Sequence, residues 1–264
     1  MGGLPGSGRR AGRRRRPWSR WAAAELAAAL WLTGACSGQG PGPGPGEQVF
    51  TWELADDPQG WVSLFVDYPV GEEAGCELTA GHRSLPAPLA TGRGGLYISG
   101  HNRAAELGMF WKRPVDGLQP DTRYGVRFEV VLATDAPSGC AGIGGAPGAS
   151  VAVCAAATTA EPVALREQGA GGAYWGLSAA SLSGPAFYEA SRLGDAANGR
   201  PCEASREYAL KTLRSAPDHW IVRTDGAGRA WLLVGTRSGI EAPTGLYYLR
   251  LEARFGPPPE CDCR

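Results

Sequence analysis

Glycine and proline interrupt this chain so often that long helices have little room to form: 40 Gly and 21 Pro lie among 264 residues. Inside a helix a Gly costs about 1 kcal/mol and a Pro about 3, whereas turns between strands use both. A hydrophobic share of 43%, with 9% aromatic residues, is still enough to build a sizeable core. Between the interruptions lie short alternating segments. From Tyr124 to Thr134, the residues Tyr124, Val126, Phe128, Val130 and Leu132 alternate with others that include Arg127 and Glu129. That is the pattern of a strand with one buried face. Leu246 to Phe255 repeats it, predicting Tyr247, Leu249, Leu251, Ala253 and Phe255 inward, and Tyr248, Arg250, Glu252 and Arg254 outward. Shorter candidate strands lie at 49–54, 61–67, 96–99, 108–112, 150–155, 208–213, 220–224 and 230–235.

About ten strands without sustained 3.6-residue periodicity predict an all-β chain, an antiparallel β-sandwich or jelly roll. Asp225-Gly226-Ala227-Gly228 reads as a hairpin turn, and the stretch PVDGLQP at 114–120 as a turn into the long strand. The Ala-rich stretches 153–160 and 184–198 predict a helical turn each. No internal repeat is evident, and one domain is expected over 47–256, followed by a Cys-containing tail at 257–264.

The formal net charge of zero conceals two unlike regions. Seven Arg fall within the first 20 residues, and Glu25 is the one acid before Cys36. The chain from Cys36 onward therefore carries 19 basic against 25 acidic residues, a net of −6. An acidic body offers no electrostatic footprint for nucleic acid. Only Lys112 and Lys211 stand against 24 Arg, the usage of a GC-rich genome, so Arg abundance is not a sign of phosphate binding.

The Arg-rich start is followed by WAAAELAAALWLTGA at 21–35, an apolar stretch interrupted by Glu25 and ending in small residues. It is too short to span a bilayer comfortably, and the whole of 1–35 reads as a secretory signal peptide. Leu32-Thr33-Gly34-Ala35-Cys36 resembles a lipobox, in which Cys36 receives a lipid and becomes the new N-terminus. Thr33 stands where Leu is expected, so cleavage by ordinary signal peptidase after Ala35 remains an alternative. Residues 36–46 form a Gly/Pro-rich tether able to hold a domain away from a membrane.

Seven Cys are present, an odd number for an exported chain. Setting Cys36 aside leaves Cys76, Cys140, Cys154, Cys202, Cys261 and Cys263, enough for three disulfides in 15 connectivities. Cys261 and Cys263 are expected to pin the tail to the domain rather than bind metal.

Catalytic motifs are scarce. His82, His101 and His219 lack the spacing of a zinc site. Ser238 sits one place late for a nucleophile elbow, and the glycine loop at 142–148 lacks the Lys-Ser/Thr of a phosphate cradle. No cofactor and no metal is expected. Glu53, Asp67, Glu106, Asp116 and Glu241 could each serve a glycosidase, and the sequence does not rank them. Tyr174 and Trp175, in the glycine-rich and loop-like GAGGAYWG at 169–176, are candidates to present aromatic rings to a sugar face.

Three stretches, LYISGHNRAAELGMF at 96–110, GCAGIGGAPGASV at 139–151, and DGAGRAWLLVGTRSGIE at 225–241 followed by TGLYY, resemble an uncharacterised family of bacterial envelope lipoproteins with a carbohydrate-binding-like β-sandwich. The turn and strand GLQPDTRY at 117–124 is similar to one in carbohydrate-binding jelly rolls. The resemblance implies acids where Ala104 and Ala105 stand and an Asp at Arg237, leaving Asn102, Glu106, Ser238 and Glu241 as remnants of a ligand site. It also implies a Cys140–Cys202 disulfide. The expectation is therefore an exported, lipid-anchored, non-catalytic β-sandwich of the bacterial cell envelope. Its partners would be the membrane, through the Cys36 lipid, and a glycan or envelope protein. The alternatives are a polysaccharide hydrolase and an assembly protein.

Overall fold

The computed structural model describes residues 46–103, 106–178, 185–203, 206–216 and 220–259. The signal segment, Cys36, Ala104, Ala105, His219, Cys261 and Cys263 lie outside them. Among the described residues, fifteen strands and one short helix follow in chain order. They are β1 (Gln48–Glu53), β2 (Val62–Val66), β3 (Tyr68–Pro69), β4 (Thr79–Ser84), β5 (Gly94–His101), β6 (Leu107–Val115), β7 (Arg123–Thr134) and β8 (Val151–Thr158). After these come β9 (Ala164–Gly169), β10 (Gly172–Leu177), α1 (Pro185–Ser191), β11 (Arg192–Asp195), β12 (Ala209–Arg214), β13 (Trp220–Arg223), β14 (Ala230–Ser238) and β15 (Pro243–Gly256). No helix among the described residues is long and apolar enough to cross a membrane.

The chain folds as an antiparallel β-sandwich. Its two longest alternating segments lie side by side, β7 paired with β15 from Gly125 to Thr134 at the centre of a seven-stranded sheet. Strands β12 and β13 share the far edge of β7, β5 and β1 share the far edge of β15, and β4 closes the sheet beyond β5. The second sheet runs β11-β8-β14-β6-β2, and β3-β10-β9 form a small third sheet. One contiguous core joins Ile98, Val126, Leu132 and Tyr248 of the first sheet to Met109, Val153 and Val234 of the second. Strand β6 is buried at every position from Leu107 to Lys112. Its other face is covered too, with Phe110 against Phe187 and Tyr188 of α1 at ring distances of 6.5 and 6.4 Å.

Several local expectations change. The β15–β7 register shifts between Tyr248 and Arg250, and one extra residue in a bulge moves the following side chains to the opposite face. Tyr248 is therefore fully buried in the main core, while Tyr247 and Leu249 join a separate cluster with Leu85 and Ala133. Beyond the shift, Leu251, Ala253 and Phe255 point inward as expected. Asp225–Gly228 does close a tight turn, with the Gly228 N–H donating to the Asp225 carbonyl at 3.0 Å. It is not a hairpin, because β13 pairs with β7 and β14 with β6 and β8, so the turn passes the chain between sheets. Gly228 has φ 72° there, and a side chain would strike the Leu118 carbonyl of the neighbouring turn.

The Ala-rich stretch 153–160 forms most of β8, paired with β14 along its length; tertiary pairing overrides the helix preference of Ala. A helix does form within 184–198, at α1. The segment 169–176 forms the turn and second strand of the β9–β10 hairpin rather than a loop. Cys140 and Cys202 form a disulfide with a Cα separation of 5.0 Å. Cys76 and Cys154 are buried free thiols, so the described chain carries fewer disulfides than its Cys count allowed. Burial pushes the Cys154 thiol up to about 11, which leaves it without reactive thiolate at neutral pH.

Candidate functional site

The site begins where β2 ends. Strand β2 pairs with β6 as far as Val66. Asp67 then adopts φ 61°, a left-handed conformation that Asp tolerates better than most residues. That turn lifts the chain out of the five-stranded sheet, and Tyr68 and Pro69 pair with Trp175 and Tyr174 of β10. The Asp67 N–H donates to the Trp175 carbonyl at 2.5 Å, fixing the corner.

Between this corner, the β9–β10 hairpin and α1 lies a cleft of about 660 Å³. Apolar surface comes from Tyr68, Tyr174, Leu177, Phe187 and Tyr188, and carboxyl groups from Asp67, Glu106 and Glu167. Gly176 contributes by lacking a side chain: a Cβ there would collide with the Glu167 carboxylate.

Each carboxyl group is held differently. The Tyr188 hydroxyl donates to Asp67 Oδ2. The Arg237 guanidinium lies over the Tyr188 ring, 4.4 Å from its centroid, and pairs with Glu106. On the other wall, the Tyr174 hydroxyl donates to Glu167 Oε2 at 2.6 Å. Burial pushes the Asp67 carboxyl above its ordinary range; the Tyr188 hydrogen bond and the Arg237 charge oppose that rise, and Glu167 adds to it. Burial and the adjoining Asp67 raise the Tyr188 hydroxyl far above the usual phenol value. The hydrogen bond to Glu167 raises Tyr174. Among the described residues no group of three or more His, Cys, Asp or Glu side chains is placed to hold a metal ion.

The residues singled out from sequence fall in several places. Glu106 and Tyr174 line the cleft. Trp175 follows Tyr174 on β10, so its side chain takes the opposite face of the hairpin. There it is partly buried rather than presented to solvent, and its indole N–H donates to Glu73 at 3.0 Å. Asn102 and Ser238 are buried. The Asn102 amide donates to the Ser238 carbonyl at 2.8 Å, and the Ser238 hydroxyl donates to the Ile240 carbonyl at 3.3 Å. Both fasten the end of β14 and do not reach the cleft surface. Glu241 is exposed, and its N–H donates to the Ile143 carbonyl of the glycine loop at 3.1 Å. The four residues joined by the family resemblance thus do not form one site. Arg237, where the resemblance implies Asp, neutralises Glu106. His82 donates from Nε2 to the Leu54 carbonyl (2.9 Å) and His101 meets Glu77 at 3.4 Å, both away from the cleft.

Glu167 and Tyr188 escaped the sequence reading. Tyr188 meets Asp67 across 121 residues of chain, a contact no local pattern announces. The weak signal available was Pro69, which ends the expected strand just beyond Asp67.

The described fold and cleft define an antiparallel β-sandwich with an aromatic, carboxyl-lined cleft beside a small accessory sheet. No family model and no curated protein matches the chain. Among solved structures it is similar to the K1 cleaved adhesin domain of Lys-gingipain from Porphyromonas gingivalis W83. The identity is 10%, with 78% of this chain and 97% of that one covered and a TM-score of 0.34. It is also similar to a carbohydrate-binding module described for promiscuous specificity within the β-sandwich superfamily, at 11% identity and a TM-score of 0.26. That match covers 78% of this chain and 55% of the other. At these TM-scores the functional reading rests on the cleft's own residues.

Proposed function

We propose that this is an exported glycan-binding β-sandwich, held at the bacterial cell envelope by a lipid on Cys36 and lifted from the membrane by the tether at 36–46. The cleft carries the reading. Its apolar walls, Tyr68, Tyr174 and Leu177, suit the flat apolar face of a pyranose, and the carboxyl groups of Asp67, Glu106 and Glu167 suit its rim of hydroxyls. The Cys140–Cys202 disulfide fits an oxidising compartment outside the cytosol.

Tryptophan and tyrosine fluorescence of the purified protein, titrated with a panel of polysaccharides and peptidoglycan, tests the binding. Saturable quenching is expected, lost in Tyr174→Ala and kept in Glu241→Gln, whose side chain is outside the cleft. Silence across the panel sinks the glycan reading and turns the search to a protein partner. Cys36→Ser tests the anchor separately: the protein should move from the membrane fraction to the soluble one.

A further inference from the structure

We infer that the cleft hydrolyses the glycan it holds, with the Asp67 carboxyl as general acid and the Glu167 carboxylate as base, on a chain of uncharged pyranosides. The inference rests on the glycan reading above and adds a reaction to it. Asp67 comes from the corner between β2 and β3 and Glu167 from β9, and both open onto one cleft with aromatic walls. Each is fixed by a tyrosine hydroxyl from yet another element, Tyr188 of α1 and Tyr174 of β10. Glu106 takes neither role, because Arg237 pairs with it.

The surroundings assign the roles. Asp67 is pressed against Tyr188, where burial favours its protonated form; a carboxyl held protonated beside a second carboxylate is what acid–base hydrolysis needs. The glycosidic C–O bond breaks as Asp67 gives its proton to the departing oxygen. A water molecule forms the new bond to the anomeric carbon and gives a proton to Glu167. One water is consumed per bond, nothing is oxidised or reduced, and solvent returns the proton from Glu167 to Asp67.

The lining also sets the substrate class. Three carboxyl groups and no Lys, Arg or His line the cleft among the described residues. With Glu106 neutralised by Arg237 and Asp67 held protonated, Glu167 leaves the cleft negative, and a uronate or phosphate would meet like charge there. Tyr188 is a positioning residue for the acid, because its hydroxyl donates to Asp67.

The test incubates the purified protein with cello-, xylo-, malto-, laminari- and chito-hexaoses and with a hexameric oligogalacturonate. Binding is followed by fluorescence, and shortened chains by their new reducing ends. At least one uncharged hexamer should bind and be shortened. Asp67→Asn and Glu167→Gln should each lower turnover about 100-fold or more while both still bind that hexamer and unfold as cooperatively as the parent. Tyr188→Phe removes a bond that favours the Asp67 carboxylate, so the alkaline limb of the pH–rate profile should move to higher pH. A hexamer that binds without shortening, or shortening that survives both carboxyl substitutions, overturns the inference and leaves the glycan reading standing. Preference for the oligogalacturonate overturns the substrate class. No binding by any hexamer removes both readings.

Discussion

The solvent face of the seven-stranded sheet and the cleft use the same kinds of residue to opposite ends. On the sheet face Glu129 bonds Arg214 at 2.6 Å and Arg250 at 2.7 Å, Arg250 reaches Glu53 at 3.0 Å, and Glu252 bonds Arg254 at 2.6 Å and Arg250 besides. Every carboxylate of that ladder has a guanidinium. In the cleft the nearby guanidinium, Arg237, is already paired with Glu106, and Asp67 has a tyrosine hydroxyl instead. Burial works against the Glu252 carboxylate, yet hydrogen bonds from Arg254 and Arg250 hold it below its ordinary range. Burial works against Asp67 as well, and there it wins. Glu252 takes direct hydrogen bonds from two guanidinium groups, whereas the Tyr188 hydroxyl and the Arg237 charge do not offset the burial of Asp67.

The strongest way to break the comparison is to remove what the cleft stands on. Phe187 is 1% exposed and packs on Phe110, Tyr188 and Trp220. Phe187→Ala should cost about 3–5 kcal/mol in denaturant unfolding and abolish ligand binding together. Full binding at unchanged stability would mean the cleft does not depend on α1. On the sheet face, Glu252→Gln should cost about 1–3 kcal/mol at pH 7, because two guanidinium groups lose a charged partner in a partly buried place. Its lowered carboxyl stabilises the fold above the unfolded-state value near 4.5, and that contribution disappears as the pH falls through the folded-state value. Wild type and variant should therefore converge in acid, and glycan binding should not change. A cost that persists undiminished at pH 3 would show that packing, not charge, is what Glu252 supplies.

The same contrast explains what was legible in the sequence. The period-two patterns at 124–134 and 246–255 announced the two central strands, because one buried face imposes its period on the chain. The bulge beside Tyr248 was hidden, since one extra residue leaves composition untouched and reverses the facing. Strand β10 was hidden for another reason: GAGGAYWG is glycine-rich because Gly176 must clear Glu167 and Gly172 must turn at φ 116°, and such a string reads as loop. The site was the least legible. Asp67 stood among five nominated carboxylates without rank, because what distinguishes it is Tyr188, 121 residues away. Cys140 and Cys202, by contrast, were found through resemblance, and the fold pairs them.

The smallest expected effect is the sharpest, because its sign is opposite on the two faces. The Asp67 carboxyl has a raised folded-state value, so its favourable contribution is complete below the unfolded-state value of 3.8 and fades as pH rises through the folded-state one. Above that range the native state holds a carboxylate where its surroundings prefer a neutral group. Asp67→Asn supplies the neutral group at every pH, still offers an oxygen to the Tyr188 hydroxyl, and suits the left-handed φ of 61° at this position. Thermal unfolding should show the variant about 1–3 °C above the parent at pH 8, with the gain vanishing toward pH 3. Glu252→Gln should show its deficit at pH 8 and lose it toward pH 3, so the two difference curves should lie on opposite sides of zero. A gain for Asp67→Asn that is constant with pH would mean that its protonation does not differ between folded and unfolded chains. A gain confined to neutral and alkaline pH, in a variant that no longer turns substrate over, would mean that the fold gives up stability to keep an ionisable carboxyl in the cleft.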